Sequence, residues 1–100
     1  EYIKAGADCG IADKIARDII DEKYKGAFGH SLGHSVGLFI HEGPRLSMKE
    51  ETILQPNMTE TVEPGIYLPE KFGVRIEDLA IVTSFGIINC TRSTKELIVL

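Results

Sequence analysis

The chain is sparing with the features that narrow function quickly. It has two cysteines, Cys9 and Cys90, far apart in sequence and forming no CxxC pair. They read as buried small hydrophobes rather than a disulfide, which suits a cytoplasmic setting. No apolar stretch approaches the roughly 18 residues that a membrane span needs. The formal charge of −4 is spread along the chain without a basic stripe, which argues against a nucleic-acid surface. There is no internal repeat, low-complexity tract or linker. The opening "EYIKAG" carries no initiator Met, signal peptide or helix cap, and reads as the end of a helix stopped at Gly6. From this we expect further sequence upstream in the intact protein.

What is present fits ordinary globular material. With 43% hydrophobic residues, 100 residues suit one small domain or a piece of a larger one. "CGIADKIARDIIDEKY" spaces Ile11, Ile15, Ile19 and Ala12, Ala16 as one apolar helix face with charges opposite. Short β runs are expected at Gly37–His41, Met58–Val62, Ile66–Leu68, Val74–Thr83, Gly86–Cys90 and Glu96–Val99. "EPG", "LPEKFG" and "TSFG" supply turns between them. Residues 1–100 therefore read as one α+β unit, an amphipathic helix followed by sheet.

Three stretches carry chemistry. "GHSLGHSVGLFIHE" holds all three histidines, His30, His34 and His41, among glycines at every fourth position. Helical spacing could align His30 and His34 as in zinc helices, but each glycine weakens such a helix by about 1 kcal/mol. A strand or turn running close to another segment suits the glycines better. Such histidines are either functional or simply hydrogen-bonded within the structure. In "TETVEPGIY", Glu63 sits between an apolar strand and a Pro-Gly turn. A carboxylate there is costly unless it is paired, bound to a cation or exposed at the strand end. In "GVRIEDLAIVT", a period of two puts Arg75 and Glu77 on one face of an expected interior strand. Either Arg75 pairs with the acid or a metal does. One His and two Glu on separate strands form a plausible ligand set for a divalent ion.

These stretches, in this order, resemble the C-terminal half of the pita-bread metallopeptidases: methionine aminopeptidase, aminopeptidase P and Xaa-Pro dipeptidase. The likeness runs from "ADKIARDII" to the closing "TKELIVL", and "VEPGIY" with "VRIED" is similar to the proline-peptidase branch. The resemblance implies the C-terminal part of a catalytic domain, with a mostly antiparallel curved sheet. It also implies two adjacent divalent ions, commonly manganese, cobalt, zinc or iron, with manganese foremost. On matching positions His34 and Glu63 are metal ligands and Glu77 a carboxylate bridging both ions. His30 and His41 face the substrate, Glu63 also moves the proton to the leaving nitrogen, and Arg75 supports the ligands. The family's two Asp ligands lie upstream of the matching helix, so this chain is expected to hold an inactive partial site. Ser35, Asn57 and Leu79 depart from the family's usual residues without removing a ligand. The implied substrate is a peptide with proline in second position, cleaved by a dipeptidase or an aminopeptidase, homodimeric when intact. A creatinase-like metal-free hydrolase and a non-catalytic binding module are the alternatives.

Overall fold

The computed structural model describes residues 1–100. A single helix, α1 (Cys9–Tyr24), precedes seven strands: β1 (Gly33–Ser35), β2 (Glu42–Leu46), β3 (Thr59–Val62), β4 (Gly65–Leu68), β5 (Phe72–Arg75), β6 (Asp78–Val82) and β7 (Ile87–Asn89). Five strands form one sheet in the order β2-β1-β3-β6-β7, and β4 pairs with β5 in a separate ribbon. Every pairing is antiparallel. No helix is long and apolar enough to cross a membrane.

The helix starts where its sequence says it should. Asp8 adopts an extended N-cap conformation and accepts the Ile11 amide at 2.9 Å, satisfying one of the free donors of the first turn. Gly26, at φ +76°, turns the chain after the last helical residues, and its amide donates to Asp21 Oδ1 at 3.0 Å.

The apolar face differs from the expected one. Cys9, Ala12 and Asp13 are buried, with Ala16 and Ile20 packed beside them. Ile11, Ile15 and Ile19 are 48%, 39% and 64% exposed. The small Cys and Ala side chains bring the helix axis close to the sheet, so the inward stripe is set by small residues. Ile15 and Ile19 flank it along an apolar groove shared with Tyr2, Ile3 and Val62. The core gathers Ala7, Cys9, Ala12, Phe28, Leu32, Leu46, Leu54 and Val82.

Three β expectations need correction. Gly37–His41 is the connection between β1 and β2 rather than a strand. The pairs Gly33↔Leu46 and His34↔Arg45 place the strands on either side of it, with a register shift before Ser35↔Glu42. Its apolar Leu38, Phe39 and Ile40 form an exposed tip. The expected strand Val74–Thr83 is broken at Ile76 and Glu77, where the chain leaves the β4–β5 ribbon and enters the five-stranded sheet. Glu96–Val99 pairs with nothing regular; the tail is tied instead by Lys95 to Asp78 at 2.8 Å. "EYIKAG" is not helical either. It has no regular structure before it turns, with Ala5 N donating to Thr83 O and Gly6 N to Leu54 O.

One glycine of the histidine segment is required by close approach. A Cβ on Gly33 would fall 1.7 Å from the Thr61 carbonyl oxygen, so only glycine lets β1 lie against β3 here.

The core also contains an acid. Glu60 on β3 is 0% exposed, and neither carboxyl oxygen has a hydrogen-bond partner. Burial, reinforced by the charge of Glu50, pushes its carboxyl up to about 8. The Cys9 thiol is pushed up to about 12, by burial first and then by Glu60, Glu50 and Asp8. Cys9 is buried and Cys90 exposed; both are free thiols.

Candidate active site

Strand alternation on β3 separates two kinds of acid. Glu60 and Val62 face the core, while Thr61 and, just beyond the strand, Glu63 turn to the opposite side. There they meet β1. The Thr61 hydroxyl accepts the His34 amide at 3.0 Å and donates to Glu63 Oε1 at 2.8 Å. His34 Nδ1 lies 3.1 Å from the Ser35 carbonyl, which can only accept, so this nitrogen carries a proton. In a neutral ring the Nε2 lone pair then points outward, 3.1 Å from Glu63 Oε1.

Around this pair stand His30, His41 and Arg75 of the predicted residues. The His41 ring lies 4.4 Å from that of His34, centroid to centroid. Arg75, at the end of β5, brings Nε to 3.6 Å from Glu63 Oε2. The three histidines, Glu63 and Arg75 line one cavity of about 200 Å³, with Ser31 and Arg45 and no hydrophobic side chain.

Glu77 does not join them. It is exposed at the crossing between the two sheets and lines a separate, larger depression with Arg75 and the C-terminal tail. The expected strand would have carried Arg75 and Glu77 on one face; the break between β5 and β6 undoes that alternation. No group of three His, Cys, Asp or Glu is close enough to hold an ion.

Reasoning from the sequence missed three residues at the site. The Tyr67 hydroxyl on β4 lies 2.8 Å from His30 Nε2 and accepts from Arg75 Nη1 at 3.2 Å. That bond is the main reason the Arg75 guanidinium holds its proton even more firmly than usual, with Glu63 and Glu77 adding smaller charge effects. His30 Nδ1 lies 2.8 Å from the Ser31 carbonyl, so it is protonated, and the neutral ring accepts the tyrosine proton at Nε2.

Asp13 and Arg17, one turn apart on α1, were overlooked as ordinary helix charges. Asp13 is 0% exposed and takes Arg17 Nε at 3.0 Å and Nη2 at 3.1 Å on its two oxygens. Asp13 also accepts the Leu32 amide at 2.8 Å. The guanidinium donates onward to Phe28 O at 2.5 Å and His30 O at 2.9 Å, and stacks over the Phe28 ring. A legible signal existed: Asp13 lies on the same seam as Cys9, Ala12 and Ala16, where a charge needs a partner.

The donors present fit a divalent ion in part. An imidazole whose Nδ1–H is held by a backbone carbonyl, with Nε2 free beside a hydrogen-bonded carboxylate, has the supporting bonds that metal-binding histidines use. His34 and Glu63 are two donors, and a closed shell needs more.

Comparison with known proteins gives the family and the fold. The model of metallopeptidase family M24 matches residues 1–84. The Xaa-Pro dipeptidase of Pyrococcus furiosus is 48% identical over 99 residues, covering 98% of this chain and 28% of that protein. Among solved structures, the Xaa-Pro dipeptidase from Bacillus anthracis superposes with a TM-score of 0.94 at 54% identity, over 98% of this chain and 28% of that one. The X-Pro aminopeptidase from Thermotoga maritima gives a TM-score of 0.91 at 42% identity, over 95% and 27%. The chain belongs to metallopeptidase family M24. Its α+β fold is the one these prolidases share, the pita-bread fold. It spans about 28% of the length of the curated relatives it matches.

Proposed function

We propose that the intact protein hydrolyses Xaa-Pro peptide bonds and that this chain contributes one side of the site. The observation that carries the reading is the His34 Nε2–Glu63 Oε1 approach of 3.1 Å inside a wholly polar cavity. His34 and Glu63 would hold divalent ions together with two Asp supplied from upstream, and Glu77, which lies outside the cavity in this chain, would have to turn toward them to complete the set. Bound there, the ions would supply Lewis acidity toward the peptide carbonyl and a water acidic enough to act near neutral pH.

The chain's own residues do the rest. Glu63, oriented by Thr61 and Arg75, holds and passes a proton at Oε2, the oxygen not engaged by Thr61 and His34, toward the departing proline nitrogen. His41, and His30 through the Tyr67 hydroxyl it holds, would face the scissile peptide along the cavity wall. Arg75 and Tyr67 fix the orientation of Glu63 and His30. Manganese and a homodimeric assembly rest on the family resemblance; the two free thiols suit a cytoplasmic setting.

A second reading, a binding module without catalysis, is favoured by the position of Glu77 outside the cavity. The test is release of the N-terminal residue from an Xaa-Pro peptide with manganese present. It is run with residues 1–100 and with a chain extended upstream. The short chain should be inactive, the longer one active, and Glu77→Ala in the longer chain should abolish turnover. Strong turnover by residues 1–100 refutes the partial site. A longer protein that is inactive and binds no metal favours the binding module.

A further inference from the structure

We infer that the pair formed by the buried Asp13 and the half-buried Arg17 of α1 is a positioning element for His30, an inference that rests on the peptidase reading for its activity test. A pair serving only to fasten a helix needs one bond across the interface. This pair makes several, and all of them end on the segment that carries His30. Arg17 grips the carbonyls of Phe28 and His30, and Asp13 grips the amide of Leu32. The backbone is thereby held before, at and after the histidine. The Phe28 ring, stacked under the guanidinium, meets the His30 ring edge-on at 5.1 Å.

The clamp also explains why His30 has one tautomer. Its Nδ1–H reaches the Ser31 carbonyl only while that peptide keeps its orientation; the same peptide's N–H, that of Leu32, is held by Asp13 and by the Leu46 carbonyl, and the peptide before it is held by Arg17 at the His30 carbonyl. With Nδ1 committed, Nε2 is left for the Tyr67 hydroxyl. If the Ser31 peptide rotated, the proton would be free to move to Nε2 and the link to Tyr67 would reverse its polarity. The fork geometry matters because arginine alone can place donors on two carboxylate oxygens and two carbonyls at once. Lysine keeps the charge and loses the fork.

The test uses the complete protein carrying these residues, with Arg17→Lys, His30→Ala and the double variant. Arg17→Lys should lower kcat about 10- to 100-fold while KM changes less than about threefold, since positioning acts on the reacting geometry. The double variant should be no worse than His30→Ala within about twofold, because Arg17 acts through His30. Independently, the long-range nitrogen–proton NMR correlation of His30 in its neutral form should show one Nδ1–H tautomer in the parent and a mixture in Arg17→Lys.

Multiplicative losses in the double variant, or an unchanged His30 spectrum, overturn the inference. If Arg17→Lys does not fold, Asp13→Asn takes its place; failure of both to fold assigns the pair to stability alone and also overturns it. A protein that cleaves no Xaa-Pro peptide but whose His30 spectrum responds to Arg17→Lys sinks the peptidase reading and leaves the clamp standing.

Discussion

Two glutamates three positions apart on one strand and its extension meet opposite surroundings. Glu63 keeps 15% of its side chain exposed and has His34, Thr61 and Arg75 around it. Glu60 is fully enclosed and has no partner at all. The backbone alternation that sends one outward to the cavity sends the other into the core. Partners keep a carboxylate ready to bind a cation or carry a proton; enclosure without partners keeps a carboxyl protonated. The same residue type on the same segment is therefore partnered beside the cavity in one place and unpartnered in the core in the other.

The largest way to sharpen that contrast is to convert each acid to its amide in the complete protein. Glu63→Gln preserves shape but neither binds a cation well nor holds a transferable proton, so turnover should fall by roughly 10³-fold or more. Glu60→Gln should leave turnover at neutral pH within about twofold. Initial rates on an Xaa-Pro peptide decide it, and equal losses in both variants would erase the distinction.

A second effect concerns stability. The folded-state pKa of Glu60 is raised, so its contribution is fully present below about 4.5 and is lost as pH rises through about 8. A shift of that size corresponds to roughly 5 kcal/mol as a ceiling, and local relaxation should leave about 3 kcal/mol of it. Urea unfolding midpoints should therefore decline between pH 5 and 9 in the parent and decline less in Glu60→Leu, which should be the more stable protein at pH 9. A parallel decline in both would place the loss elsewhere.

The smallest effect comes from Glu50, whose charge adds to the enclosure of Glu60. Its own carboxyl is held low, chiefly by the Thr52 hydroxyl, so it is ionised wherever Glu60 titrates. Glu50→Gln should move the midpoint of the stability decline downward by about half a pH unit or less. An upward shift would contradict the stated sign.

The sequence was most legible where local chemistry and packing agree. The helical period marks the extent of α1, and turn chemistry brackets β3, β4 and β7 closely. It misled where an apolar run serves no strand. Leu38, Phe39 and Ile40 look like a β segment and instead form a tip, because the pairing partners lie at Gly33–Ser35 and Glu42–Leu46. The crossing at Ile76 and Glu77 contains no glycine or proline to announce it, so the period-two reading ran straight through. At the site, the grouping of His30, His34, His41, Glu63 and Arg75 followed from motif and resemblance. Tyr67 and the Asp13–Arg17 pair did not, since their partners are 37, 8, 11 and 13 positions distant in the chain.

The enclosed thiol gives the core a chemical readout of its own. Alkylating reagents attack thiolates, and Cys9, shielded and pushed up to about 12, offers almost none at neutral pH. Cys90 stands in solvent and should label at once. Once Cys90 has reacted, or has been replaced by serine, any further incorporation records α1 lifting from Leu46 and Leu54. The labelling rate then measures how often that packing opens under native conditions, without denaturant.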